Sequence, residues 1–346
     1  VGSWVRIGQL RPMELKHSVI IFMCLGFIYT GCEETDIPED EVPLEFDLSN
    51  FPEFVTPNSD YYTIRIGEVP EISSDSYRLI VSGALEYGDT LDLEALYQLD
   101  QTELLLTVEC ISNPANGLSV STARWQGFDL YEFLMSRGMY STAEAVQFRC
   151  ADNYFASYTI DQIREKQVLA ALFMNGDTLP ALHGYPLRIL IPGLYGVKQP
   201  AWVTEIEVLE FAGQDFWDQY GWDTSPPIAT DSKILFPTNS SQFTLGDTVQ
   251  VGGTAFGDSR ISEVQLSING GETWQATDIV KQVDSEQVWV FWASEIIFPD
   301  SGEYSIYTRA IDVIGNIQPE IDNERLDGVN NWPHVQVTIH SEIITP

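Results

Sequence analysis

The paired prolines Pro226-Pro227 divide this chain into two stretches with different hydrophobic patterns, and that break limits its fold more than any other feature. Before them, from Phe46 to about Trp222, short apolar strands mix with brief helical segments. Tyr77–Ser82, Val146–Arg149, Ala170–Met174, Tyr185–Ile191 and Trp202–Phe211 read as strands. A short helix is expected to start at Thr90–Glu94, capped by Thr90 or Asp92. Others are expected near Phe128, Tyr131 and Phe133 and over Thr159–Lys166. The elements do not follow a βαβ rhythm, and no glycine-rich nucleotide loop occurs. After Pro227 the pattern is all-β, with strands over Thr248–Thr254, Ile261–Ile268, Val288–Ala293, Tyr304–Ile311 and His334–Ile339. Turn signals recur about every ten residues, as in an immunoglobulin-like sandwich, and Asn269-Gly270 marks a hairpin. The fold class is therefore α+β: a mixed domain over 46–225 followed by a β-sandwich over 228–341.

One strand carries a reactive side chain to its end. Leu104-Leu105-Leu106-Thr107-Val108-Glu109-Cys110 is apolar and β-prone, and Ile111-Ser112-Asn113-Pro114 then forces a turn. Cys110 is thus expected at the mouth of a buried strand, facing a cavity built from loops. A thiolate placed there is a soft metal ligand. Two other readings stay open: a packed core cysteine, or half of a disulfide with Cys150.

The amino-terminal region reads as a targeting segment. Met13, Lys16 and His17 precede an apolar run from Ser18 to Ile28 that ends in Tyr29-Thr30-Gly31-Cys32. This resembles a bacterial lipoprotein signal (residues 1–32), with lipid attached at Cys32. The acidic, proline-containing stretch 33–45 then reads as a tether. The chain is expected to be exported to the periplasm or cell surface and anchored there. The 346 residues carry 51 acidic and 17 basic side chains, a formal charge of −34. Such a surface repels nucleic acid, which is excluded as a specific partner.

Several stretches in order resemble the sulfite oxidase-like molybdopterin oxidoreductases. They are Glu109–Pro114 followed by Ala123–Leu134, then His183–Lys198, then Phe216–Trp222. The Ser267–Thr277 and Arg309–Glu320 stretches resemble that family's C-terminal dimerisation domain. The resemblance implies a molybdenum–molybdopterin cofactor and oxo transfer on a small-molecule substrate. It implies that Cys110 is the metal-ligating thiolate. Asn58, Tyr61 and Tyr62 in an early loop would contact the cofactor, as would Cys150 at a strand end. His183 and Arg188 would meet the pterin and phosphate, and Gly196, Val197 and Lys198 would wrap the phosphate end. Glycine, arginine and lysine suit an anion chemically. The resemblance also implies a possible homodimer through the second domain.

Departures from the family pattern concern the substrate. Arginines that follow the metal cysteine in sulfite oxidases are replaced here by Asn113, Pro114 and Ala115. An early Arg-Asn-His becomes Ile64-Arg65-Ile66, an active-site tyrosine falls on Trp222, and a pterin-binding lysine falls on Ala201. Arg65, expected as a catalytic residue, and Arg124 are the remaining candidates to hold an anion. An S-oxide or N-oxide is therefore expected to suit the site as well as sulfite does. No Cys-x-x-Cys-His haem motif occurs, so electrons are expected to pass to a separate partner, either a haem protein or a quinone-linked membrane subunit. The alternative is a binding or scaffold lipoprotein that has lost the cofactor. The separation of Arg6 and Arg11, which do not form a twin-arginine export signal, points that way.

Overall fold

The structure is a computed structural model that describes residues 46–322 and 326–341. The leader, the tether and Cys32 lie outside the described residues. Two sheets arise from the first half of the chain and two from the second. The first sheet has the order Asp89–Leu91, Leu79–Gly83, Val203–Leu209, Ala145–Cys150, Phe155–Thr159. Its one parallel pair is Leu79–Gly83 with Val203–Leu209. The second sheet has the order Thr102–Glu109, Val120–Asp129, Leu169–Met174, Asp177–Thr178, with Arg188–Leu190 pairing off Leu169–Met174.

Three short α-helices connect these strands. Leu93–Tyr97 is capped by Asp92, whose side chain accepts from the Ala95 N–H, and Leu130–Ser136 is capped by Asp129. Ile160–Glu165 starts with a reciprocal Thr159–Gln162 capping box. Helices of five to seven residues make the helical share smaller than an α+β reading implies. The Trp125–Leu134 stretch shows why. Asp129 ends a ten-residue strand before the helix begins, so Trp125 belongs to the strand. The strand Tyr185–Ile191 shortens to Arg188–Leu190. Among the described residues no helix is long and apolar enough to cross a membrane.

The second half is a two-sheet sandwich. One sheet has the order Asp231–Phe236, Thr248–Phe256, Val290–Ile297, Asp278–Lys281, and the other Ser241–Thr244, His334–His340, Gly302–Asp312, Ile261–Ser267, Gln275–Ala276. Alternating residues of both sheets, among them Val251, Trp292, Val264, Ile306 and Val337, fill the space between them. Asn269-Gly270 lies in the hairpin joining Ile261–Ser267 to Gln275–Ala276. The connection is longer than a two-residue turn. Gly270 and Gly271 both take positive φ, and Asn269 Oδ1 accepts from the Thr273 N–H.

The cysteine strand Thr102–Glu109 leans on this sandwich. The Thr107 N–H donates to the Gln287 carbonyl, and the Trp289 N–H donates to Thr107 Oγ1. Phe54, Ile111, Tyr195, Ile228, Trp289 and Phe291 close the seam as one buried apolar cluster. Burying such aromatic side chains is worth roughly 1.5–3 kcal/mol each, so the seam is part of the core.

Candidate functional site

The hydrogen-bond pattern places Cys110 at the mouth of its strand. Its N–H donates to the Ser119 carbonyl at 2.9 Å, and its carbonyl accepts from the Asn113 N–H at 2.9 Å. Cys110 is 7% exposed, and its Sγ lies 3.3 Å from Ser112 Oγ. Cys110 and Cys150 are both free thiols, so the disulfide reading is not what the structure contains.

Cys110 faces a cleft of about 800 Å³, including its open mouth. The lining brings together Tyr62, Arg65, Cys110, His183, Arg188, Gly196 and Val197 from the sequence candidates. It adds Asp152, Tyr154, Leu182, Gln199, Trp202 and Trp217.

One wall is an interlocked set of aromatic and basic groups. Tyr61 is 3% exposed and stacks on Tyr62 (5.7 Å between centroids, 13° between planes). It also meets Trp125 and His183 edge-on, at 5.6 Å and 5.4 Å. The Arg188 guanidinium lies 5.3 Å over the Trp125 ring and donates from Nη1 to the His183 carbonyl at 3.2 Å. His183 Nε2 is 2.7 Å from the Asn58 carbonyl, which can only accept, so Nε2 carries the hydrogen and Nδ1 presents a lone pair. Burial and then the Arg188 charge hold the imidazole pKa below its usual value, so His183 is neutral near pH 7. Burial pushes the Tyr61 phenol up to about 12, so it keeps its proton.

Polar atoms without partners concentrate on this wall. Tyr61 Oη, Trp125 Nε1, His183 Nδ1 and Arg188 Nε are buried and make no hydrogen bond. Native proteins rarely leave such atoms unsatisfied, since each costs about 1–3 kcal/mol. Of the four residues, His183 and Arg188 line the cleft and offer it an acceptor and a donor, with Tyr61 and Trp125 packed against them. Gly196 lies against Tyr62 of this wall, where a Cβ would come 2.6 Å from Tyr62 Oη, so glycine lets that turn approach the ring closely.

Six sequence candidates sit outside the lining. Asn58 and Tyr61 lie behind the lining as supports. The Asn58 side chain accepts from Asn175 Nδ2, and its carbonyl holds His183. Cys150 requires a correction. Its strand alternates so that Cys150 joins Val146 and Phe148 in the apolar core rather than the cavity, and burial drives its thiol pKa well up. Lys198 requires another. Its side chain is 5% exposed, and Nζ is 2.7 Å from Asp215 Oδ2 and 2.6 Å from the Ser157 carbonyl. That ammonium braces the Gly196 turn and has no free face for a phosphate. Trp217 lines the cleft where Trp222 was expected, while Trp222 packs at the seam. Arg124 is exposed and outside the lining.

Asp152, Tyr154 and Trp202 lacked a sequence signal of their own. Asp152 and Tyr154 are presented by the turn that follows Cys150, where the Asp152 carboxylate accepts from the Tyr154 N–H. Burial raises the Asp152 pKa. Trp202 is held at positive φ by bonds from its backbone N–H to the Gly184 carbonyl and from Nε1 to the Ala181 carbonyl.

Comparison with known proteins gives the family. Residues 66–217 match the oxidoreductase molybdopterin binding domain, and residues 226–342 match the Mo-co oxidoreductase dimerisation domain. The chain is 27% identical to mitochondrial sulfite oxidase of Rattus norvegicus over 83% of its own length, and it spans 62% of that relative. It is 25% identical to sulfite oxidase of Arabidopsis thaliana, covering 77% of this chain and 83% of that one. The sulfane dehydrogenase SoxCD from Paracoccus pantotrophus shares the fold, with a TM-score of 0.70 at 22% identity over 80% of this chain and 78% of that one. The two matched domains in tandem, the sulfite oxidase relatives and the shared fold together make this chain a member of the sulfite oxidase-like family of molybdopterin oxidoreductases.

Proposed function

We propose that this protein is an exported molybdopterin oxidoreductase that carries out oxo transfer on a small neutral substrate, of the S-oxide or N-oxide type. The observation that carries the reading is the wall of unsatisfied buried polar atoms beside Cys110. The donors and acceptors there fit a pterin. At the lining Arg188 Nε donates and His183 Nδ1 accepts, which suits a ring edge with mixed hydrogen-bonding groups, while Tyr61 and Trp125 back these two side chains. Among the described residues no group of three or more His, Cys, Asp or Glu gathers as a metal site. The Cys110 thiolate would be the protein ligand, with the half-buried Arg188 on the same lining. When bound, the molybdenum–pterin group supplies two-electron oxo transfer. The chain's own residues position and enclose the reaction. Tyr62, Trp202 and Trp217 give the cleft aromatic walls, and Asp152 holds a proton on its lining more readily than an exposed carboxylate.

The substrate class follows from charge. Arg65 and Arg188 are the cations in the lining, and Arg188 is committed to His183 and the Trp125 ring. Arg65 is exposed and donates to the Gly67 carbonyl. Asp152 adds a carboxylate, and most of the remaining wall is apolar. A dianion needs charge-assisted donors in a desolvated site, whereas a neutral oxide does not. Steady-state assays are expected to show faster turnover of neutral S-oxides or N-oxides than of sulfite. Sulfite turnover well above the oxides would overturn this assignment.

The surroundings follow the same reading. Lipid at Cys32 anchors the chain to a membrane, the C-terminal sandwich pairs two copies, and a separate haem protein or quinone-linked subunit exchanges electrons with it. Intact mass and light scattering of the membrane fraction check the first two points: a lipidated dimer is expected, and an unmodified monomer would contradict them.

A further inference from the structure

The C-terminal sandwich grips the loop that carries Cys110 at both ends. At one end the Lys233 ammonium lies 2.8 Å from Glu109 Oε1 and 2.7 Å from Asp231 Oδ2. The three side chains are 3–4% exposed. Glu109 is the residue before Cys110, and the same Oε1 accepts from Asn113 Nδ2 at 2.7 Å. Asn113 then closes the loop, since its Oδ1 accepts from the Ser119 N–H and its Nδ2 also reaches the Gly117 carbonyl. A Cβ at Gly117 would come 2.1 Å from Asn113 Oδ1, so the turn closes only around glycine. At the other end the N–H of Ile234, the residue after Lys233, donates to Asn116 Oδ1 at 2.7 Å. Asn116 Nδ2 donates to the His334 carbonyl at 3.1 Å.

We infer that Lys233 is a positioning residue for the Cys110 thiol: the strand Asp231–Phe236 of the C-terminal sandwich holds the cysteine loop, through Glu109 and Asn116, in the shape that presents Sγ to the cleft. The inference rests on Cys110 being the metal thiolate. It makes the second half of the chain part of the metal-binding framework, in addition to any role in pairing. Electrostatics fit this role. Burial works against the Lys233 charge, but the Asp231 and Glu109 carboxylates outweigh it and keep the ammonium more firmly protonated than a free lysine. A buried pair of this kind is a weak source of net stability, but breaking it strands a buried charge, so the loop is costly to pull away from Lys233.

The test measures the thiol directly in the full chain. Lys233→Met removes the ammonium, and Asn116→Gly removes the second grip while keeping a residue that accepts the positive φ of 59° at that position. Carboxamidomethylation by iodoacetamide is followed by peptide mass for Cys110 and Cys150, with Cys150 as the control buried in a separate core. Molybdenum per chain is measured on the same preparations. Cys110 is expected to react about tenfold faster or more in both variants, as local opening of the loop allows. Cys150 should be unchanged, and molybdenum should fall. If Lys233→Met does not fold, Asn116→Gly decides alone. Unchanged Cys110 reactivity in a folded variant would overturn the inference, and so would equal acceleration at both cysteines, which reports general loosening. Should the wild-type chain hold no molybdenum, the cofactor reading fails, while the ratio of the two alkylation rates still tests Lys233.

Discussion

Replacing Cys110 by serine is expected to cut molybdenum retention by more than about 100-fold, since removal of an outer partner of a metal ligand alone typically costs about 10–100-fold. A hydroxyl is a harder and far less acidic donor than a thiol, so it does not replace the thiolate. The fold should survive. The exchange is nearly isosteric, and the loop is held by backbone bonds from Cys110 to Ser119 and Asn113 that serine keeps. Cys150→Ser should leave the metal in place, because Cys150 packs with Phe148, Tyr158 and Tyr77 away from the cleft. Elemental analysis of the two variants after gel filtration separates them. Equal metal contents would remove Cys110 from the site.

Lys198→Met is expected to act on stability. It leaves Asp215, 11% exposed, without its ammonium partner, and breaking a buried pair by removing one member costs about 3–5 kcal/mol. The Gly196 turn should loosen with it, since the Tyr158 hydroxyl donates to the Lys198 carbonyl and the Tyr154 hydroxyl to the Val197 carbonyl. Urea unfolding should show a lower midpoint with an unchanged slope. An unchanged midpoint accompanied by loss of cofactor would restore Lys198 as a phosphate contact.

These two residues illustrate what the sequence conveyed. Local signals carried far. The apolar run ending in Cys-Ile-Ser-Asn-Pro marked a strand that delivers a thiol to a loop, and Asp92 and Thr159 marked helix starts that the backbone follows. Five strands after Pro227 were legible because alternation and turn residues are local properties, whereas Asp231–Phe236, Ser241–Thr244, Gln275–Ala276 and Asp278–Lys281 were not. Partners distant in the chain stayed hidden. Nothing near Lys198 announces Asp215, so a lysine beside glycines reads as an anion contact until the fold buries it. Glu109 and Lys233 meet only because a strand of the second half lies against the cysteine loop. Cys150 failed for a different reason. Period-2 alternation specifies which residues share a face, while the identity of the face that meets the core depends on which sheets pack together. The strand Val120–Asp129 was hidden by helix-forming residues at its end, where Asp129 terminates the strand and caps the helix at once.

Molybdenum and pterin analysis of the native, full-length protein tests the central claim most directly. Stoichiometric molybdenum with a fluorescent pterin released on oxidation, and a Cys110 thiol protected from alkylation until the metal is removed, is the expected result. Native protein that holds no molybdenum and no pterin, with Cys110 freely alkylated, would contradict it.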